Sequence, residues 1–193
     1  MPTPSHSSPT VLVLASGIGA RFRASGGQGH KLQADLCGRS VLQRTLDAVR
    51  ASGLPWHLED AGHPGMGDSV AAAVRATRAA HGWLVLPADL PLIAPASLIT
   101  VARTLVSGSA LAVLPWVGDQ RAHPVGFAAA LGRELGELEG KEGARHVLRR
   151  LDALKSVANL FIEDIGAITD IDTIADLERA RGLLQHRSAA PPV

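Results

Sequence analysis

The chain has 193 residues, enough for one α/β domain with a substantial core and too few for two, and 46% of them are hydrophobic, with Ala, Val and Leu prominent. Aromatic residues make up only 3%, with no Tyr, and 19 basic residues stand against 18 acidic ones for a net charge of +1. That composition excludes a stacking platform for single-stranded nucleic acid and a basic stripe for a polynucleotide, while a local anion site stays open.

The lone Cys37 excludes an internal disulfide and fits a reducing cytosol. The first nine residues have neither a basic start nor an apolar stretch, so no signal peptide is expected. No apolar run approaches the roughly 18–20 residues needed to cross a bilayer. The expectation is a cytoplasmic protein with no membrane or nucleic-acid partner.

Residues 1–9 (polar, rich in Pro and Ser) and 187–193 read as disordered tails, leaving 10–186 as one domain. Val11 to Ala15 is a short, continuous apolar run, the pattern of a strand buried on both faces. Gly17 to Gly29, rich in Gly and Ser, reads as a long functional loop without an element of its own. Ser40 caps a helix through about Ser52, with Val41, Leu42, Leu46 and Val49 on one face. Trp56 to Glu59 is a short strand at best. Gly65 and Gly67 precede an Ala-rich helix carrying Val70 and Val74.

Trp83 to Leu86 is a second buried strand, broken by Pro87. A helix follows Pro95 with Leu98, Ile99, Ala102, Leu105 and Val106 inward. Ala110 to Leu114 and Val125 to Phe127 read as strands, 128–138 and 143–152 as helices. Ala158 to Ile162 reads as a late strand and Thr173 to about Gln185 as the closing helix. Strands alternating with helices of this length predict a mostly parallel sheet covered on both faces, with ligands at the carboxyl ends of its strands.

Five constellations fall at such ends. In the first, Leu14, Ala15, Ser16, Gly17, Ile18 and Gly19 lead to Arg21, with Lys31 ten residues on. A glycine turn leaving a buried strand can aim backbone N–H groups at phosphates, Arg21 can grip phosphate oxygens as a fork, and Lys31 adds a point charge. A loop with solvated basic side chains would use the same residues. A Walker loop is excluded because no Gly-Lys-Ser/Thr run exists, and the dinucleotide fingerprint fails because Phe22 stands where a third Gly is required.

The second constellation is Asp89, held between Pro87 and Pro91. It is placed to ligate Mg²⁺ beside a triphosphate, or to start an Asx-turn. The third is Asp170-Ile171-Asp172-Thr173 with Asp176, either a metal carboxylate at Asp172 or a helix cap. The fourth is Gly65-Met66-Gly67-Asp68-Ser69, a ligand-binding turn or again a cap. The fifth is Arg121-Ala122-His123-Pro124, in which His123 is a substrate contact or a structural loop histidine.

Together, in this order and over about Val11 to Arg181, these residues resemble the MobA-like NTP transferases, and more closely the branch that transfers CMP to the molybdopterin cofactor. The opening Leu-Ala-x-Gly-x-x-x-Arg and following Lys fall on Leu14, Ala15, Gly17, Arg21 and Lys31. The Asp-x-Pro motif falls on Asp89 and Pro91, Gly-Met-x-x-Ser on Gly65, Met66 and Ser69, His-Pro-Val on His123 to Val125, and Asp-x-Asp-Thr on Asp170 to Thr173.

The resemblance implies a three-layer α/β/α, Rossmann-like nucleotidyltransferase fold with a mixed, mostly parallel sheet. It implies a nucleotide site at Leu14–Gly19, Arg21, Lys31, Gly65, Met66 and Ser69, with Lys31, Arg21 and Asp89 catalytic. Mg²⁺ would sit on Asp89 and Asp172, and His123 and Asp170 would meet the acceptor. The partners it implies are an NTP, CTP above all, and molybdopterin or another phosphorylated small molecule, together with a molybdoenzyme or its chaperone. Only Gly53 to Pro64 separates the first long helix from Gly65, so the sheet is expected to be shortened at that edge. Open alternatives are a guanylyl- or sugar-phosphate nucleotidyltransferase and a non-catalytic factor that binds molybdopterin or a nucleotide.

Overall fold

The strand β1 (Thr10–Leu14) is buried at all five positions because helices cover the sheet on both sides. The computed structural model describes residues 8–189, so of the expected tails 1–9 and 187–193 the residues 1–7 and 190–193 lie outside it. In chain order the remaining elements are α1 (Ala20–Ala24), α2 (Val41–Ala51), β2 (Trp56–Glu59), α3 (Met66–Ala76), β3 (Gly82–Pro87), α4 (Pro95–Ser107) and β4 (Ala112–Val117). Then follow β5 (Gln120–Arg121), β6 (Val125–Ala128), α5 (Gly132–Gly136), α6 (Arg145–Ala153), β7 (Val157–Phe161) and α7 (Ile174–Ala189).

Successive strand residues point to opposite faces, and the burial follows that period. Val11, Val13, Leu84, Leu86 and Val113 pack under α2, α4 and α7. Leu12, Leu14, Trp83, Val85 and Leu114 pack under α3, α5 and α6. Helices, sheet and helices therefore form three layers.

The sheet runs β2-β1-β3-β6-β4, with β7 on the far edge of β4 and β5 continuing β6. β1 pairs parallel with β2 and β3, and β4 parallel with β7; the pairings of β6 with β3 and β4, and of β5 with β4, are antiparallel. The sheet is thus mixed. Beyond β2 no further strand forms among the described residues before α3, so this edge is short.

Several expectations need correction. The glycine-rich stretch is not wholly irregular: one helical turn, α1, forms where Phe22 is buried, and Gly27 packs so tightly on that ring that a Cβ would lie 2.3 Å from it. On α4 the inward face is Ser97, Leu98, Val101, Ala102 and Leu105, while Ile99 is half-buried and Val106 exposed, because these two, seven residues apart, share one flank of the buried stripe. β4 starts two residues later than Ala110 and continues through Pro115 to Val117. α7 continues past Gln185 to Ala189, beyond the expected domain end at 186.

Candidate functional site

Within the parallel pair, Leu14 stands opposite Pro87, so the segments leaving β1 and β3 emerge side by side. Ala88 N–H donates to the Leu14 carbonyl at 3.0 Å. The fully buried Thr45 hydroxyl of α2 lies 2.9 Å from the Ala88 carbonyl and 3.2 Å from that of Val41, which fixes the backbone one residue before Asp89. The Asp89 carbonyl in turn accepts from Ile171 N–H at 3.0 Å. One main-chain bond thus carries the 170–172 segment to the end of β3.

That segment is fed by a 3₁₀ turn, Ile165–Ile168, seated directly on the chain at Leu92: a Cβ on Gly166 would lie 2.0 Å from the Leu92 carbonyl oxygen. Buried Asp164 anchors it, accepting from Ala94 N–H at 2.8 Å, Ser97 Oγ at 2.7 Å and Gly166 N–H at 3.0 Å. Because Ala94 offers α4 no side-chain cap, Asp164 supplies one from a distant segment. On the far side, Asp176 accepts from the Thr173 N–H and its own N–H donates to Thr173 Oγ1, a reciprocal cap that starts α7.

The three distant segments meet at one atom. Lys31 Nζ lies 2.6 Å from Asp89 Oδ2 and 2.7 Å from Asp172 Oδ1. Arg21 Nη1 lies 2.5 Å from Asp172 Oδ2. Side-chain exposure separates the two cations: Lys31 is 12% exposed and Arg21 is 79% exposed. The Lys31 contacts are built into the fold, whereas Arg21 makes a surface pair of the kind worth little, and its guanidinium is free to follow a ligand. Burial pulls the Lys31 pKa down, but Asp89 and Asp172 together outweigh it and hold the ammonium above its ordinary value, so it stays charged.

Glycine is required at Gly19, whose φ is +63°, and where a Cβ would approach Lys31 Cγ at 3.5 Å. Gly17 is different. Its φ is ordinary and no protein atom comes within 4 Å of a Cβ placed there, so nothing in the chain itself fills the space it faces.

A cleft of about 490 Å³ opens over this cluster. Leu14, Ala15, Ser16, Gly17 and Arg21 line one side, and Lys31, Asp89 and Asp172 the floor. Met66, His123 and Asp170 complete the predicted residues found there. Burial first, then the Asp89, Asp172 and Asp176 charges, push the Asp170 carboxyl above its ordinary pKa. His123 is placed by its N–H, which donates to the Ala167 carbonyl at 3.0 Å. Its Nδ1 is sealed from water. Burial chiefly, and Arg145 as well, push its pKa down against the upward pull of Asp89 and of the Val85 backbone.

Four expected residues do not line the cleft: Ile18, Gly19, Gly65 and Ser69. Ile18 is 71% exposed and points to solvent. Gly65 serves packing, since a Cβ there would stand 2.2 Å from the Gly140 carbonyl oxygen, and Gly67 N–H donates to that same oxygen at 2.8 Å. Ser69 is fully buried, with its hydroxyl between that of Ser16 and the Gly65 carbonyl, so it braces the glycine turn from behind. The cleft also holds residues that the sequence reading did not place in it: Gln120, Arg121 and Arg145. Arg121 stands two positions before His123 and was legible as part of that motif. Arg145 was not, since in a polar helix it reads as one more solvated cation.

Residues 11–155 match the family model of the MobA-like NTP transferase domain. The phosphoenolpyruvate guanylyltransferase of Nocardia farcinica is 37% identical over 115 residues, which cover 58% of this chain and 47% of that one; the chain thus aligns with about half the length of this relative. Among solved structures, Rv0371c of Mycobacterium tuberculosis superposes with a TM-score of 0.72 at 20% identity, covering 94% of this chain and 100% of its own. A nucleotidyl transferase from a Methanothermobacter species superposes at 0.75 and 18% identity, covering 93% and 99%. These two likenesses are likenesses of fold.

Proposed function

The chain belongs to the MobA-like NTP transferase family, and on that premise we propose that it transfers a nucleoside monophosphate from an NTP to a phosphorylated acceptor, with CMP, CTP and molybdopterin as the favoured set. The observation that carries this reading is the meeting at Lys31 Nζ of two carboxylates 58 and 141 residues away in sequence, at the mouth of a glycine turn. The Gly65-Met66 stretch, by its resemblance to the cytidylyl branch, favours CTP.

The donor set fits Mg²⁺. Asp89 and Asp172 are close enough to share one ion, and Asp89 Oδ1 is buried without a hydrogen-bond partner. Mg²⁺ takes one or two carboxylates and fills its other positions with water and substrate phosphates. No metal-binding group of three or more His, Cys, Asp or Glu occurs among the described residues, unlike a closed structural zinc site. When bound, the ion supplies Lewis-acid polarisation of phosphate oxygens. The solved Rv0371c has also been crystallised with manganese, which is compatible with a divalent ion in this fold.

In this account the N–H groups of Ser16 and Gly17 and the exposed Arg21 guanidinium grip the β- and γ-phosphates. Lys31 faces the α-phosphate and neutralises charge as it builds. An oxygen of the acceptor phosphate forms a bond to the α-phosphorus. The bond from that phosphorus to the bridging oxygen breaks, and pyrophosphate leaves with the electron pair. An ionised phosphate nucleophile brings no proton to remove, so positioning and charge suffice without a general base.

The test is pyrophosphate release by the purified chain with Mg²⁺, molybdopterin and each NTP in turn. CTP should turn over, and Lys31→Ala and Asp89→Ala should each lose about 10²–10³ in rate. Near-wild-type turnover by either variant refutes the assignment. A second reading, guanylyl transfer, is favoured by the Nocardia relative; turnover with GTP and phosphoenolpyruvate instead of CTP and molybdopterin would select it.

A further inference from the structure

A second cavity, of about 440 Å³, opens at the opposite end of β3 from the cleft. Its floor is Trp83, the second residue of that strand, whereas Asp89 lies beyond the strand's last residue, Pro87. No residue lines both this cavity and the cleft. The end of α3 and the turn after it form one bank, through Arg75 and Arg78. The facing bank is α5, through Gly132, Arg133 and Gly136.

The fold holds the two banks in place. Arg75 lays its stem against Gly136, where a Cβ would stand 3.7 Å from Arg75 Cγ, and Arg75 Nη1 donates to the Gly136 carbonyl at 2.6 Å. Gly132 sits so close on the Trp83 ring that a Cβ there would lie 2.7 Å from it. The Trp83 indole N–H donates to Thr77 Oγ1 at 2.9 Å, and that hydroxyl donates to the Ala73 carbonyl at 2.8 Å. The polar atom of the ring is therefore satisfied, and the floor offers a ligand hydrocarbon alone.

The charge of the cavity is one-sided. Arg75, Arg78 and Arg133 line it against a single carboxylate, Glu137. Among the described residues Arg75 and Arg78 form no ion pair. Arg133 pairs with Glu137 at 3.1 Å, but the two side chains are 90% and 66% exposed, so the pair is worth little and yields to a stronger anion. The transferase chemistry uses none of these cations. Two guanidiniums on one bank, a third on the other and an apolar floor between them match a ligand with an anion at each end and a short apolar body. Inorganic phosphate would meet one bank and leave the floor uncovered.

We propose that this cavity is a second ligand site, separate from the cleft, which takes a compact organic dianion whose two anionic groups are set apart by a few carbons. Carboxylate and phosphate ends share the required chemistry, because the arginine fork donates to two oxygens of either.

Calorimetric titration, without nucleotide or metal, tests this with glutarate and propylene bisphosphonate, and with butyrate and inorganic phosphate as their one-ended controls. At least one two-ended probe should bind roughly tenfold more tightly than its control, and the probe that does so identifies the anion. Arg75→Ala and Arg78→Ala should each weaken that probe roughly tenfold, and Arg133→Ala should reduce it to the level of its control. All three arginines are exposed, so their variants should fold as the wild type does. Amide NMR spectra locate the probe: saturation should shift the Gly136 amide and the Trp83 indole N–H and leave the Gly17 amide unmoved. No advantage for either two-ended probe, unchanged binding by the Arg75 and Arg78 variants, or shifts confined to Gly17 would overturn the inference. Because cleft and cavity share no residue, a failure of NTP turnover would leave the probe result standing.

Discussion

Replacing Lys31 by Ala leaves Asp89 and Asp172 facing each other with no cation between them. The two lost contacts, at 2.6 and 2.7 Å, join side chains only 12%, 16% and 22% exposed. At an effective dielectric near 20 each attraction is on the order of 6 kcal/mol before desolvation is subtracted. Truncating one member of a fully buried pair costs about 3–5 kcal/mol, and the residual exposure here lowers that to roughly 2 kcal/mol. For a domain of this length 1 kcal/mol moves the midpoint by about 2–4 °C, so the variant should melt roughly 4–8 °C lower in a chelating buffer.

A further readout follows from the same geometry. Millimolar Mg²⁺ should restore part of the deficit by supplying another cation. Differential scanning fluorimetry with EDTA, then with Mg²⁺, measures both effects. A variant as stable as the wild type in EDTA, or indifferent to Mg²⁺, refutes the claim that the two carboxylates share one cation site.

Thr45→Val should cost about 1–3 kcal/mol in urea denaturation, because the buried Ala88 carbonyl loses a side-chain donor, and Thr45→Ser should recover most of it. Gly166→Ala should cost at least about 2 kcal/mol and weaken metal-dependent nucleotide binding, since its Cβ is directed at backbone and not at a flexible side chain. Stability should also decline with acidification in two stages. His123 has a folded pKa below its ordinary 6.5, through burial, so its contribution is lost as pH falls below about 6.5 towards the depressed value. Glu59 follows below about 4.5: burial raises its pKa, but the hydrogen bond from His63, with Ala61 N–H and His57, outweighs that and depresses it. A pH series of melts on the wild type and His123→Gln checks this. A stability curve flat from pH 7 to 5.5, or an undiminished upper stage in the variant, contradicts it.

What the sequence disclosed follows physical range. β1 and β3 were legible because a strand buried on both faces is apolar at every position, and α2 because Ser40 and Gln43 form a local capping box. β4 was placed too early because Pro115 reads as a strand terminator. In the structure its carbonyl accepts from Ala122 N–H at 2.8 Å and the strand carries on. β5 was missed although Gly118-Asp119, set between Val117 and Gln120, is a hairpin signal. The α4 face was misread because Ser97, a polar residue, turns inward to Asp164, a partner 67 residues away.

At the site, residue types were legible and convergence was not. Nothing local states that Asp89 and Asp172 share the Lys31 ammonium, because that depends on the Ile171–Asp89 main-chain bond and on Gly166 fitting against Leu92. Ser69 illustrates the opposite error. A serine at the head of a helix reads as a ligand contact, yet it is buried against Ser16. Arg145 was invisible because α6 carries several exposed arginines and only tertiary packing brings this one to the cleft.

Crystals grown with Mn²⁺ and a non-hydrolysable CTP analogue test the central claim most directly, through the anomalous signal of the ion. The account predicts one Mn²⁺ ligated by Asp89 and Asp172, with the triphosphate at the Ser16–Gly17 turn and the Lys31 ammonium on the α-phosphate. A manganese peak away from these carboxylates, or a triphosphate bound outside the glycine turn with Lys31 still locked between the two aspartates, would contradict it.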